Sequence, residues 1–135
     1  MPPNPYENLL TRQSLTPAAR TASADGSAVD RAAGGARFQD AVVVVTTGTI
    51  TDGTHTIVVA ESSDGTTFTA VADADLQGPE PAIVAADDNK VFEIGYRGGA
   101  RWLRVSVTVA GATTGGVYGA AVVLANPRRA AVSHS

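Results

Sequence analysis

The sequence contains no cysteine and few aromatic residues, and it has no long hydrophobic run. Without cysteine, the chain can form no disulfide bond and no thiolate metal site, and it has no thiol nucleophile. Its longest apolar runs, such as Ala41 to Val45, are far too short to cross a membrane. The opening residues, MPPNPYENLL, lack the basic and apolar regions of a secretory signal. These absences predict a soluble protein without membrane contact, made and used in a cytoplasm.

The length and composition predict a single all-β domain. A chain of 135 residues is typical of one domain, and such a domain buries about 70% of its unfolded surface. The hydrophobic residues make up 44% of the chain and are mainly valine and alanine rather than leucine. Chains rich in valine, threonine and glycine favour β-sheets.

The net charge of −3 is unevenly distributed along the chain. Residues 1–37 carry four arginines and three acids (+1), residues 38–100 two bases and ten acids (−8), and residues 101–135 four arginines (+4). Nucleic-acid binders combine a basic face with aromatic residues, so no nucleic-acid partner is expected. Two interpretations of the uneven charge stay open: docking onto protein neighbours of complementary charge, or scatter over a solvated surface.

From Phe38 onward, β-forming runs alternate with turns. The runs predict six or seven strands, at 41–47, 54–61, 66–72, 90–96, 101–109 and 117–125. The first run, AVVVVTT, fits a strand that is buried on both faces. Asp-Gly pairs at 52–53 and 64–65 predict hairpins, and a loop with a helical turn near Asp73 is expected between 73 and 89. Strands at this spacing predict an antiparallel β-sandwich or jelly roll of six to eight strands.

Residues 1–37 differ from the rest because they contain four prolines and no sustained hydrophobic period. They predict an extended N-terminal arm that is either disordered or laid across a partner, with a short helical turn around Leu9 to Gln13. The β-sandwich would then span residues 38–126, and a tail would span 127–135. Apolar residues that could anchor the arm are Tyr6, Leu9, Leu10, Leu15 and Val29. Deletion of residues 1–37 would be expected to leave a folded domain that no longer binds its partner.

The run RWLRVSVTV alternates cleanly, so its two faces can be assigned. Leu103 and the three valines after it predict a core face. Trp102 and Arg104 share the opposite face. An exposed tryptophan beside an arginine is typical of an interface hot spot. The alternative is that the chain's own arm or loop covers Trp102.

No catalytic site is predicted. The histidines are His55, at a strand start, and His134, in the terminal tail, and no G-x-S-x-G motif is present. Five carboxylates could supply oxygen ligands for calcium, but they lack EF-hand spacing and are more often solvated: Asp73, Asp75, Glu80, Asp87 and Asp88. Gly98-Gly99 precedes a strand rather than a helix, so it is no phosphate loop. The chain is therefore expected to be a non-enzyme without metal or cofactor.

Two short segments resemble the discoidin-type, galactose-binding-like jelly rolls. ESSDGTTFTAV supplies Ser63, Asp64, Gly65 and Phe68, and ARWLRVSVTV supplies Arg101, Trp102 and Arg104. The match covers about a quarter of the chain, and this chain has few of the aromatic residues with which those loops bind ligand. The resemblance implies a carbohydrate-binding module displayed on a virion.

A longer series of segments resembles a family of small head proteins of tailed bacteriophages and prophages. It comprises a proline-rich start, SADGSAVDR, AVVVV, DGTHTIVVAESSDGTTFTAVADADLQG, KVFEIGYRGGARWLRV and an NPRR tail. This resemblance implies a decoration (cement) protein on the capsid exterior, made in the host bacterial cytoplasm. The alternative within this setting is a tail or connector subunit.

Expected partners of a decoration protein are the major capsid protein and sister copies on the lattice. Interface chemistry favours the apolar and aromatic residues of the arm, the outward Trp102 face and the basic tail. The predicted contact residues are Tyr6, Leu9, Leu10, Arg12, Trp102, Arg104, Arg128 and Arg129.

Overall fold

A computed structural model describes residues 5–32 and 37–128. Strands dominate these residues and form two antiparallel sheets that pack face to face. Helical structure in the described residues is limited to the turn Pro5–Asn8 and two 3₁₀ turns, Asp73–Asp75 and Ala85–Asp87. The helical turn near Asp73 is thus confirmed. The protein is a β-sandwich, and the predicted fold class is confirmed.

The first sheet has five strands. In spatial order they are β1 (Leu9–Arg20), β11 (Gly116–Pro127), β4 (Phe38–Ile50), β9 (Val91–Tyr96) and β7 (Leu76–Gln77). The second sheet is built on a central pair with short strands around it: β10 (Trp102–Ala110), β5 (Thr54–Ser62), β2 (Ala24–Asp25), β3 (Val29–Asp30), β6 (Thr69–Ala70) and β8 (Ala82–Ile83). Eleven strands replace the six to eight expected, because five of them have only two residues.

The sandwich core lies between the inward faces of the two sheets. In the second sheet, Val105 is paired with Val59, and in the first sheet Val43 is paired with Val122; all four side chains are fully buried. The predicted core face of RWLRVSVTV is confirmed, because Leu103, Val105 and Val107 are buried. A buried valine or leucine contributes about 1.5–3 kcal/mol.

The N-terminal segment is part of the sandwich, which corrects the predicted arm. Residues 9–20 form the edge strand β1 along β11, where a helical turn had been expected, and the following β2 and β3 pair with β10 of the other sheet. The N-terminal segment therefore covers one side of the sandwich, because it pairs first with one sheet and then with the other. Leu10, Leu15 and Val29, expected as anchors on a partner, lie in this protein's own core. The domain boundary at residue 37 was wrong for the described residues.

A buried serine at a bulge joins the two sheets on this side. The hydroxyl of Ser14 donates to the carbonyl of Ser27 at 2.7 Å and accepts the N–H of Val105 at 2.9 Å. The register of β1 shifts on either side of Leu15, which lets the strand contact both sheets. Proline and these shifts interrupt the period-2 pattern, which is why the sequence concealed the strand.

The two Asp-Gly turns have different roles. Asp64-Gly65 lies between β5 and β6, which pair with each other, so this hairpin is confirmed. Asp52-Gly53 lies between β4 and β5, which belong to different sheets, so the predicted hairpin there was wrong. The Asp52 carboxylate instead accepts the backbone N–H groups of Thr113, Thr114 and Gly115 and ties two end loops together. These bonds hold the pKa of Asp52 below its usual value.

Candidate interaction surfaces

The outer face of the five-stranded sheet is unusually apolar. Val42 is paired with Val123, and Val44 with Ala121, on the side opposite the core. We call this surface the apolar face and define it as Val42, Val44, Val91, Val117, Ala121, Val123 and Ala125. Val91 is 62% exposed and Val117 is 41% exposed. The run AVVVV was expected to be buried on both faces, but among residues 5–32 and 37–128 only its inward face is buried.

Polar side chains lie around the valine and alanine positions of β4 and β11, and Thr46 and Glu93 separate Val91 from them. Gln13, Asp40, Gln77 and Glu93 occupy outward positions toward its margins. A groove of about 330 Å³ lies at one end, lined by Pro17, Val44, Val117 and Ala121 among others. An apolar centre within a polar rim is the usual anatomy of a protein interface.

The chain itself covers one end of the outer face of the six-stranded sheet, whereas Thr108 toward the other end is exposed. The loop between β5 and β6 folds over the covered end, so that a Cβ added to Gly65 would lie 3.0 Å from the indole of Trp102. The guanidinium of Arg104 lies 4.4 Å from the ring centroid of Phe68 in the same loop. Of the two interpretations of Trp102, the structure shows the second, because the chain's own β5–β6 loop covers the side chain. The segment ESSDGTTFTAV is thus a hairpin that packs on its own sheet.

Hydrogen bonds to one aspartate shape this loop. The Asp64 carboxylate accepts the N–H groups of Thr66 and Thr67 and the hydroxyl of Ser62, at 2.8–2.9 Å. These donors stabilise the ionised form and lower the pKa of Asp64 to about 2. A polar groove of about 510 Å³ beside the loop is lined by Glu61, Ser63 and Asp75 as well.

The predicted contact residues of the N-terminal segment divide into three environments. Tyr6 is 71% exposed in the helical turn Pro5–Asn8. Leu9 is half-buried and paired with Ala125, so it borders the apolar face. Leu10 is buried in the core and cannot contact a partner, which corrects that prediction. Arg12 is half-buried on the same side of β1 as Leu10.

The remaining predicted contact residues lie at one end of the sandwich or beyond the described chain. Trp102 and Arg104 are half-buried under the β5–β6 loop. Arg128 is exposed directly after β11. Arg129 and His134 lie outside the described residues. The structure therefore does not bring the eight predicted contact residues onto one surface.

His55 is a structural residue in the core. It is fully buried, with Nδ1 at 2.8 Å from the Tyr118 hydroxyl and Nε2 at 3.0 Å from the carbonyl of Asp52. Because a carbonyl only accepts, Nε2 carries a proton, and both ring nitrogens are engaged in hydrogen bonds within the protein.

Three of the five carboxylates considered for calcium bind backbone groups instead. Asp88 accepts the N–H of Ile50 at 2.6 Å. Glu80 accepts the N–H of Val59 at 2.6 Å, and Asp87 accepts the N–H of Val84 at 3.0 Å. In residues 5–32 and 37–128, no group of three or more His, Asp or Glu side chains could hold a metal ion. No helix in these residues is long and apolar enough to cross a membrane.

Comparison with known sequences leaves the family open. The sequence matches no protein-family model and no curated protein. The two resemblances described above therefore stay predictions. The apolar face was missed by sequence reasoning, although its signal was present in AVVVV, a run too apolar for a strand with one face in water.

Proposed function

We propose that the protein is a non-enzymatic capsid decoration protein of a tailed bacteriophage, which binds the assembled shell through the apolar face. The observation that carries the proposal is the contrast between the two outer faces. The chain's own loop covers Trp102 and Arg104 on one face, and the other face presents neighbouring valine and alanine side chains on β4 and β11. The segments resembling phage head proteins support the capsid as the partner.

The apolar face suits binding to a repeated surface. A sheet in contact with water normally alternates apolar and polar positions, whereas here both faces of the central strand β4 carry valine. Burial of each exposed valine contributes up to about 1.5–3 kcal/mol. Exposed apolar surfaces of this kind mark interaction sites.

The described side chains also support a binding role rather than catalysis. His55 and Ser14 are both buried and engaged in bonds that join the two sheets or their loops. Asp87, Asp88 and Glu80, three of the carboxylates considered for metal binding, accept backbone N–H groups, which is a structural use.

The test is co-sedimentation of the purified protein with capsid shells stripped of it, counting bound copies per shell. Val44→Lys places a charge in the centre of the apolar face, and Thr108→Lys, at an exposed outward position of the other sheet, is the matched control. We expect saturable binding by the wild type and Thr108→Lys, and at least tenfold weaker binding by Val44→Lys, because a lysine there must be desolvated.

The outcome also separates the alternatives. A number of bound copies that matches the many repeated lattice sites of the shell supports decoration. A small fixed number of copies, as in a ring, supports a connector. If Val44→Lys binds as well as the wild type, the apolar face is not the docking surface. If no variant binds shells, a glycan array with the polar groove beside Asp64 as the suspected site is the next measurement.

A further inference from the structure

The basic residues of the two sequence ends converge on one cavity. Arg31 and Arg37 come from the N-terminal region, and Arg101 and Arg128 from the C-terminal region. The cavity has a volume of about 540 Å³ and is completed by the glycine loop 98–100, Phe38 and Gln39. No acidic side chain is among its lining residues. A protein of net charge −3 thus has a local concentration of positive charge at this end of the sandwich.

Arg31 is the buried part of this cluster. Its side chain is only 8% exposed, and its terminal nitrogens donate to the carbonyls of Gly98, Ala100 and Gln39 at 3.2, 2.7 and 2.7 Å. The guanidinium carbon lies 5.2 Å from the ring centroid of Tyr96, and its Nε has no partner in the described structure. Carbonyl dipoles satisfy donors but do not neutralise the charge, and a buried charge without a counter-ion is costly.

The other three arginines differ in whether a carboxylate neutralises them. Arg101 forms a bidentate pair with Asp30, at 2.8 and 2.9 Å. Arg37 and Arg128 are exposed, and neither has a carboxylate partner within the described residues. The carbonyl of Arg37 accepts the N–H of Arg128 at 3.2 Å, which keeps the two residues side by side. Arg37 is held at φ 54°, an unfavourable conformation for a residue with a Cβ.

We propose that this cavity binds an oxyanion carrying at least two negative charges, either a phosphate ester or a polycarboxylate. Three guanidinium groups there lack a carboxylate, and guanidinium forks match the geometry of both phosphate and carboxylate oxygens. The buried Arg31 supplies a fixed positive potential, and Arg37 and Arg128 supply the donors that reach the ligand. This binding site is independent of the apolar face and of shell binding.

Isothermal titration calorimetry of the full chain tests the proposal, with pyrophosphate and citrate as probes at constant ionic strength. The double variant Arg37→Gln/Arg128→Gln removes the exposed donors without disturbing the buried Arg31. The control is Lys90→Gln, an exposed cation next to the opposite end of β9. We expect saturable one-to-one binding by the wild type and the control. The double variant should bind about tenfold more weakly or worse, as for the loss of a charge-assisted hydrogen bond.

The two probes distinguish the ligand source, because pyrophosphate preference indicates a phosphate ester and citrate preference a polycarboxylate. Failure of both probes to bind saturably would overturn the proposal. Equal weakening by Lys90→Gln would also overturn it, since binding would then follow overall charge rather than the cavity. Unchanged far-ultraviolet circular dichroism of the double variant establishes that weaker binding does not reflect unfolding.

Discussion

The hydroxyl of Tyr118 lies 2.8 Å from Nδ1 of His55 in the sandwich interior, and this hydrogen bond links β11 of one sheet to β5 of the other. The rings meet edge to face, with centroids 5.0 Å apart. Because Nε2 of His55 donates to the carbonyl of Asp52, Nδ1 is the ring nitrogen left to accept the tyrosine proton. Burial raises the pKa of Tyr118 to about 12, which keeps the hydroxyl protonated as this bond requires.

Tyr118→Phe should destabilise the fold through this bond. The substitution keeps the ring but leaves the buried Nδ1 of His55 without a partner, which costs about 1–3 kcal/mol. Urea denaturation followed by circular dichroism measures the free energy of unfolding. Tyr6→Phe, in the exposed helical turn, is the matched control and should change it by less than about 0.5 kcal/mol. Equal stabilities of the two variants would contradict a structural role for the pair.

Leu15→Ala should show that the N-terminal segment belongs to the domain. Leu15 lies in the core between the sheets, so its truncation should lower the free energy of unfolding by about 2–5 kcal/mol. Thr16→Ala, at the next and exposed position of β1, is the control. If Leu15→Ala unfolded like the wild type, residues 9–20 would not be part of the cooperative structure. For the same reason, deletion of residues 1–37 should unfold the domain.

Gly65→Ala should displace the β5–β6 loop from Trp102. Gly65 has φ 78° and its added Cβ would lie 3.0 Å from the indole, so backbone strain and a steric clash act together. Because Trp102 is the sole tryptophan, a red shift of its fluorescence reports loss of the cover.

Gly111→Ala is the control for backbone strain alone. Gly111 has φ 68° and nothing within 4 Å of an added Cβ. The Gly111→Ala variant should have a free energy of unfolding lower by about 1–2 kcal/mol, and its Trp102 fluorescence should not change. A red shift in both variants, or in neither, would contradict packing of the loop on the indole.

Acid should destabilise the protein through its hydrogen-bonded aspartates. The pKa of Asp64 falls from 3.8 to about 2 because backbone N–H groups and Ser62 bond its ionised form. The unfolded state therefore binds protons first as the pH falls, and stability present above about pH 4 is lost toward pH 2. Asp64→Asn should reduce that loss, measured as the free energy of unfolding between pH 5 and pH 2. An identical pH dependence in the variant would argue against the bonds at Asp64.

The alternation of side chains carried most of the fold prediction. Leu103, Val105 and Val107 are inward as expected, because strand geometry sends successive side chains to opposite faces. The Asp64-Gly65 hairpin was equally predictable from local turn preference. The site was less predictable: of the contact residues, Leu9 borders the apolar face, whereas Leu10 is core. A hydrophobic residue in an irregular segment does not indicate which surface it covers.

The sequence by itself determined the β class, the long strands after residue 38 and the inward face of β10. These features depend on neighbours a few residues apart, which set backbone conformation and side-chain direction. Only the tertiary structure decided that β1 completes the sandwich, that Asp52-Gly53 joins two sheets, and that arginines from both ends share a cavity. Those features depend on contacts between distant residues, such as Arg31 and Ala100, 69 positions apart, which local preferences do not specify.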